Sequence, residues 1–275
     1  MKNIHWHART KGWSNHLVLG ILGLILTLPV LWVFLSSFKT RTELNAYPMK
    51  FLPETINIAR YLGIFTYADV SPVLLRTFVL GITTAVITCV TSAMAGYAFA
   101  RLRSPWRKPL FSLVIAMLIV PNIIMLIPQF ILYSRYHLIN TYWPWYLAAL
   151  GATNPLFIFM YRQFFLGFPK ELEEAAEIDG ASPAGIFLKI ILPNSRPALA
   201  TLLIFAFNAV WGDFLTPTMF LNNPAELMGP LLGSSPVMHP FFFALAIVYS
   251  LPIILLFSLI QKNIQKGMLF TGLRG

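Results

Sequence analysis

Charge is what this chain has least of. Of its 275 residues only 11% are Asp, Glu, Lys or Arg, while 57% are hydrophobic and 15% aromatic, and the mean hydropathy is +0.70. So few charges cannot cover the surface of a water-soluble fold of this size. A chain lying in a lipid bilayer has no such requirement. Cysteine is nearly absent too: the single Cys89 lies inside an apolar run, so no internal disulfide can form. No glycine is followed by lysine. The phosphate-cradling loop that ends Gly-Lys-Ser/Thr is therefore missing, and with it that route to ATP hydrolysis. Energy for uphill work has to come from another subunit or from an ion gradient. His5, His7, His16, His137 and His239 stand apart, outside or at the edge of the apolar runs. Neither a metal site nor an intramembrane catalytic constellation is expected, and no catalytic residue is assigned.

What is present is a series of uncharged stretches. A bilayer core about 30 Å thick is crossed by about 20 apolar residues. Six runs meet that length, and the expected class is an all-α integral membrane protein with six transmembrane helices, near 17–38, 73–100, 109–133, 143–163, 197–217 and 240–260. The first is too long for a signal-peptide core and is read as a retained span. The second is rich in Gly, Ala, Ser and Thr, which let neighbouring helices approach closely. The third contains Pro121 and Pro128 and should bend.

The basic residues sort themselves by side. With both termini in the cytoplasm, fourteen of the twenty Lys and Arg fall inside, led by Arg101, Arg103, Arg107 and Lys108 in RLRSPWRK. The domain reading is then a cytoplasmic tail 1–16, a six-helix membrane domain 17–260 and a cytoplasmic tail 261–275. A net charge of +10 that follows membrane topology argues for a bilayer and against nucleic acid.

Acid is concentrated in one place. Glu171, Glu173, Glu174, Glu177 and Asp179 are five of the ten acids. Glu171 precedes the stretch EEAAEIDGASPAGIFLKIILP within the loop 164–196, and the other four lie in its first seven residues. Pro169 suits a first helical turn, and acids there favour the helix dipole. Leu172, Ala175, Ala176 and Asp179 are expected on one face. Gly180 stands where a helix C-cap takes positive φ. Ser182 and Pro183 read as the N-cap and first residue of a second helix, which Pro193 stops. This helix–turn–helix lies on the basic side and suits a protein partner with a basic cleft.

The spacing Glu174-Ala175-Ala176, three residues, Gly180, nine residues, Ile190, one residue, Leu192-Pro193 resembles the EAA loop of ABC-importer membrane subunits. GYAFARLRSPWRK, LIVPNIIMLIPQFILY and FNAVWGDFLTP resemble the carbohydrate-uptake class, and within it the type of the smaller maltose-transporter permease subunit. The likeness spans roughly 17–275. It implies the type I ABC-importer permease fold in a bacterial or archaeal cytoplasmic (inner) membrane. It implies a second homologous permease subunit, a cytoplasmic ATPase dimer that binds ATP and Mg, and an extracytoplasmic solute-binding protein. No cofactor is expected on this chain. Carried over by residue, Glu174, Ala175, Ala176, Asp179, Gly180 and Pro193 form the ATPase-coupling site. Glu174 would pair with a basic group, the alanines would permit close approach and Gly180 the turn.

Polar residues in spans are costly and mark a path or a partner helix. Asn122, Gln129, Asn154, Asn208, Trp211 and Asp213 are the candidates for a solute path, with Thr153 beside them. Amides, a carboxylate and an aromatic face are what a sugar takes. Phosphorylated polyols, oligosaccharides and amino sugars all fit. The alternative reading is a gradient-driven secondary transporter, which calls for a charged relay within the spans. Asp213 alone does not make one.

Overall fold

The computed structural model describes residues 4–67, 70–237, 239 and 241–272, with side chains described for 15–66, 70–237, 239 and 241–261. Most side chains of the expected tails 1–16 and 261–275 thus lie outside the described residues. Among the described residues every regular element is helical. The chain forms two compact units, residues 1–70 with 235–250 and residues 71–234 with 251–275.

In the first unit, α1 (Ile4–Ser36) runs unbroken across the expected tail boundary. Its apolar stretch Asn15–Ser36 is long enough to cross a membrane, and none of its most apolar window is buried within the chain. The segment after it is organised by two buried charges. Lys39 is 1% exposed. Its Nζ lies 3.9 Å from the Trp32 ring centroid and donates to the Lys50 carbonyl at 2.6 Å. The ring face and the carbonyl together replace the water that the cation has lost. Glu43, in the helical turn Arg41–Leu44, forms a capping box with Thr40. Glu43 N–H donates to Thr40 Oγ1 at 3.2 Å, and Thr40 N–H returns a bond to Oε2 at 2.6 Å. The Glu54 N–H donates to Oε1 at 2.6 Å. The bond with Thr40 and these backbone donors hold the Glu43 carboxyl down at about 2. A helix α2 (Ala59–Tyr67) follows.

The second unit is built on α3 (Val70–Arg101), 32 residues long. Ala85, Cys89, Ala93, Tyr97 and Ala100 form its buried stripe. A Cβ on Gly96 would sit 2.6 Å from Tyr161 Cβ and 3.0 Å from the Arg162 nitrogen. One on Gly81 would meet the Phe207 ring at 3.0 Å. Small residues thus set how closely α3 approaches its neighbours. The expected third span is two helices, α4 (Arg107–Met117) and α5 (Asn122–Arg135), at 101° to each other. The fold comes at Pro121, whose backbone is extended (ψ 128°), while Pro128 stays inside α5.

The expected span 143–163 divides into α6 (Trp143–Leu150) and α7 (Pro155–Leu166). Between them Ala152 has φ 48° and Asn154 caps α7, accepting from Phe157 N–H at 3.3 Å. The acidic loop holds α8 (Glu171–Ile178) and α9 (Pro183–Asn194). An 80° bend leads from α9 into α10 (Arg196–Trp211). The expected span 197–217 ends early, because Gly212 to Phe214 separate α10 from α11 (Leu215–Phe220). Then come α12 (Met228–Ser234) and α13 (Phe242–Gly272). Leu80, Trp145, Phe220, Leu221 and Leu227 pack as one cluster. Among the described residues three helices are long and apolar enough to cross a membrane, or up to five if each bent pair is one span. The six apolar runs are therefore not six unbroken helices. Gly, Pro and Asn break a helix without adding charge, so a search for uncharged runs passes over them.

Three positions give outcomes for stability. Gly96→Ala forces α3 off α7 and should cost about 1–3 kcal/mol, lowering the melting temperature in detergent. Gly20→Ala in α1, where nothing lies within 4 Å, should be neutral or stabilise by about 0.5–1 kcal/mol. For Glu43 the folded carboxyl titrates below its unfolded value. Its contribution is full above the ordinary carboxylate range and is lost as pH falls toward about 2. Glu43→Gln reproduces the acid form at neutral pH and should speed tryptic cleavage at Arg41.

Candidate functional site

The acidic loop is a hairpin with complete local grammar. Glu171, Glu173 and Glu174 occupy the first turn of α8, where the helix dipole favours them. Pro169 lies one residue outside the cap position Lys170 and not within the first turn. At the other end the Gly180 N–H donates to Glu177 O at 3.0 Å and the Ala181 N–H to Ala176 O at 2.9 Å. That pair of bonds is a Schellman ending, and it needs a left-handed residue. Gly180 has φ 80°. A Cβ there would meet nothing within 4 Å, so backbone conformation and not space demands glycine. Ser182 Oγ accepts from the Gly185 N–H at 3.2 Å and Pro183 opens α9.

Pro193 does not stop that helix. The chain widens into a π turn over Phe187–Ile191 and stays helical through Asn194. Asn194 Nδ2 donates to the Ile190 carbonyl at 2.7 Å and Ser195 Oγ to the Ile191 carbonyl at 2.5 Å. Side chains thus serve carbonyls beside the donor that proline lacks.

The faces of α8 differ from the expected ones. Ala176 is buried, 7% exposed, and lies against the chain's own interior. Glu174, Ala175 and Asp179 are exposed. Ala175 and Ala176 are about 100° apart on a helix, so only the first offers a surface to another molecule. Ile178, to which the spacing argument gives no role, is 87% exposed beside Asp179 and Gly180. A lone isoleucine in an acidic run was the available signal.

Glu173 turns inward with Ala176. Its Oε1 lies 2.7 Å from Arg101 Nε, with the two side chains 12% and 8% exposed. Tyr97 OH donates to Oε2 at 3.1 Å. Arg101 Nη2 also donates to the Phe168 carbonyl at 2.6 Å. The Tyr97 ring meets Phe165 edge-on at 5.8 Å and Phe187 at 5.3 Å. Arg101, one charge of the basic cluster RLRSPWRK, thus has its side chain withdrawn from water at the end of α3. The signal for it was the spacing of Tyr97 and Arg101, four apart on one helix face.

The polar candidates for a solute path do not gather into one site. Trp211 is fully buried and stacked on Phe207 at 5.3 Å. Asn154 spends its oxygen on the cap of α7. Thr153 Oγ1 donates to the Ala148 carbonyl at 3.0 Å. Asp213 Oδ1 accepts from the Thr216 N–H at 3.0 Å, and a Cβ on Gly229 would lie 2.3 Å from the Asp213 carbonyl oxygen. Gln129 is half-buried in α5, while Asn122, at the Pro121 fold, and Asn208, on α10, are exposed. Among the described residues no three His, Cys, Asp or Glu side chains gather as metal ligands.

Residues 90–270 match the family described as binding-protein-dependent transport system inner membrane component. The chain is 32% identical over 272 residues to the arabinooligosaccharides transport system permease protein AraQ of Halalkalibacterium halodurans, covering 96% of each chain. It is 29% identical to the sulfoquinovosyl glycerol transport system permease protein SmoH of Agrobacterium fabrum, over 90% of this chain and 88% of that one. It is 32% identical to the trehalose transport system permease protein SugB of Mycobacterium tuberculosis, over 90% and 92%. The fold is similar to a chain in the crystal structure of a bacterial ABC transporter involved in the import of the acidic polysaccharide alginate. The TM-score is 0.71 at 22% identity, over 92% of this chain and 96% of that one.

A side chain forced into the left-handed region costs about 1–2 kcal/mol. Gly180→Val should therefore loosen the hairpin, and Gly180→Asn should do so less. Protease cleavage between residues 178 and 184 reads the difference.

Proposed function

The chain belongs to the binding-protein-dependent transport system inner membrane component family, and from that premise we propose that it works as one permease subunit of an ATP-driven importer for a sugar or sugar-like solute. The observation that carries the mechanism is the hairpin α8–α9. It presents Glu174, Ala175, Ile178 and Asp179 outward on a turn that only Gly180 makes without strain. The exposed acids suit a basic cleft on a separate cytoplasmic ATPase dimer, which would bind ATP and Mg. Ile178 would add an apolar contact at the centre of that acidic rim. Closure of the ATPase dimer would draw the hairpin with it and rock the membrane helices against those of a second, similar permease. An extracytoplasmic binding protein would deliver the solute.

In this reading the chain crosses the membrane six times, with both termini and the hairpin in the cytoplasm. The crossings would be α1, α3, the bent pair α4–α5, the pair α6–α7, α10 and α13. The sorting of fourteen basic residues to that side supports it. The solute class rests on relatives named for arabinooligosaccharides, trehalose and sulfoquinovosyl glycerol transport. All three names denote glycosidic, polyhydroxylated molecules. Asn122 and Asn208, with exposed amides, are the proposed solute contacts. Asp213 spends an oxygen on a backbone amide, which argues against the relay that a gradient-driven transporter would need.

The test is purification of the tagged chain from its own membranes in mild detergent, followed by mass spectrometry. An ATPase and a second permease should co-purify, and the chain alone should hydrolyse no ATP. Recovery of the chain alone, or hydrolysis by it, would sink the proposal. Glu174→Lys, which inverts charge on the docking face, should abolish uptake and weaken ATPase retention. Unchanged uptake would remove the hairpin from the mechanism.

A further inference from the structure

We infer that Arg101, Glu173 and Tyr97 form the link through which movement of the hairpin reaches α3. They act as positioning residues distinct from the outward docking face. The inference rests on the coupling role proposed for the hairpin. The chain itself joins the hairpin to only two long helices. Residues 167–170 lead from α7 into α8, and the 80° bend at Ser195 leads from α9 into α10. The helix α3 has no such connection, and its hold on the hairpin is made by side chains alone. Two residues one turn apart make it. Arg101 holds the Phe168 carbonyl just past α7 and the Glu173 carboxylate on α8. Tyr97 bonds the same carboxylate and packs on Phe165 of α7 and Phe187 of α9. The end of α3 thereby grips both helices of the hairpin and the stem that leads into it from α7.

The physical character of the grip suits transmission. An ion pair this far from water resists separation, because parting it leaves two poorly solvated charges without partners. The hairpin and the end of α3 then move as one body. The small-residue face of α3, with Gly96 against Tyr161 and Gly81 against Phe207, carries that motion to α7 and α10. Glu173 and Glu174, adjacent in sequence, thus have opposite duties: one faces the chain's own membrane helix, the other the partner.

The test uses the whole complex purified with its ATPase, in a Cys89→Ser background. Nitroxide labels are placed at Leu75→Cys near the far end of α3 and at Leu188→Cys on α9, both sites being exposed. Pulsed electron resonance measures the distance without nucleotide and with ATP, Mg and vanadate. The expected result is a single narrow distance that does not move between the two states. In Glu173→Gln it should broaden and become nucleotide-dependent while ATP hydrolysis persists. Tyr97→Phe, which removes one hydroxyl bond and keeps the ring, should give the same change in smaller degree. A distance that shifts with nucleotide in the parent, or variants indistinguishable from it, would overturn the link alone. Failure of both variants to assemble would also overturn it, since the cluster would then serve folding. Absence of any co-purifying ATPase would instead overturn the coupling reading together with the link.

Discussion

A carboxylate withdrawn from water must find its compensation inside the protein, and at Glu173 that requirement organises the whole hairpin. The compensation comes from Arg101 and Tyr97 on α3. Once Glu173 is turned inward, the helical repeat decides the rest of α8. Ala176, one turn on, is buried with it, and Glu174, Ala175 and Ile178 face out. The acidic surface that the sequence advertises is therefore the remainder left after one acid has been committed to the interior. A buried ion pair adds little net stability over apolar packing, but breaking one costs about 3–5 kcal/mol. That asymmetry fixes a geometry more than it strengthens a fold.

The same accounting of polar groups explains where the helices break. In hydrocarbon a freed backbone group has no water to turn to. Several breaks in the second unit are accompanied by a side chain that serves the exposed backbone. Asn154 caps α7, Asp213 bonds the Thr216 amide, and Asn194 and Ser195 return bonds to α9. Several residues that look like a solute path in the sequence are thereby engaged in holding bent helices together. The polar residues that stay exposed, Asn122 and Asn208, are fewer and lie on different helices.

Much of this was legible from the residues. The apolar runs, the small-residue face of α3 and the grammar of Gly180, Ser182 and Pro183 all rest on local chemistry, and the structure shows the same hairpin. What was not legible depends on partners distant in sequence. Nothing in EEAA says which glutamate faces inward, because the choice is made by Arg101 on another helix. Pro193 reads as a stop until the π turn and the side chains after it are seen. The breaks at 121 and 151–154 carry no charge, so a search for uncharged runs passes over them, and only Asp213 marks the break at 212–214. The burial of Trp211 is set by its stacking on Phe207, which spacing alone does not separate from a sugar-facing aromatic.

The contacts of α3 also impose a schedule. This helix is synthesised long before what it leans on. Its Thr91 hydroxyl bonds the Ala149 carbonyl, 58 residues later. Tyr97 meets Glu173 after 76 residues, and Thr77 receives the Met228 amide only after 151. At about 5–20 residues per second the last of these, 151 residues on, waits roughly eight to thirty seconds. Through that interval a helix rich in small and hydroxyl residues stands in lipid, its threonines turned back on their own carbonyls, as Thr77 and Thr84 are in the finished fold. The nascent chain's most vulnerable stage is therefore the long pause in which its central helix is inserted and not yet embraced.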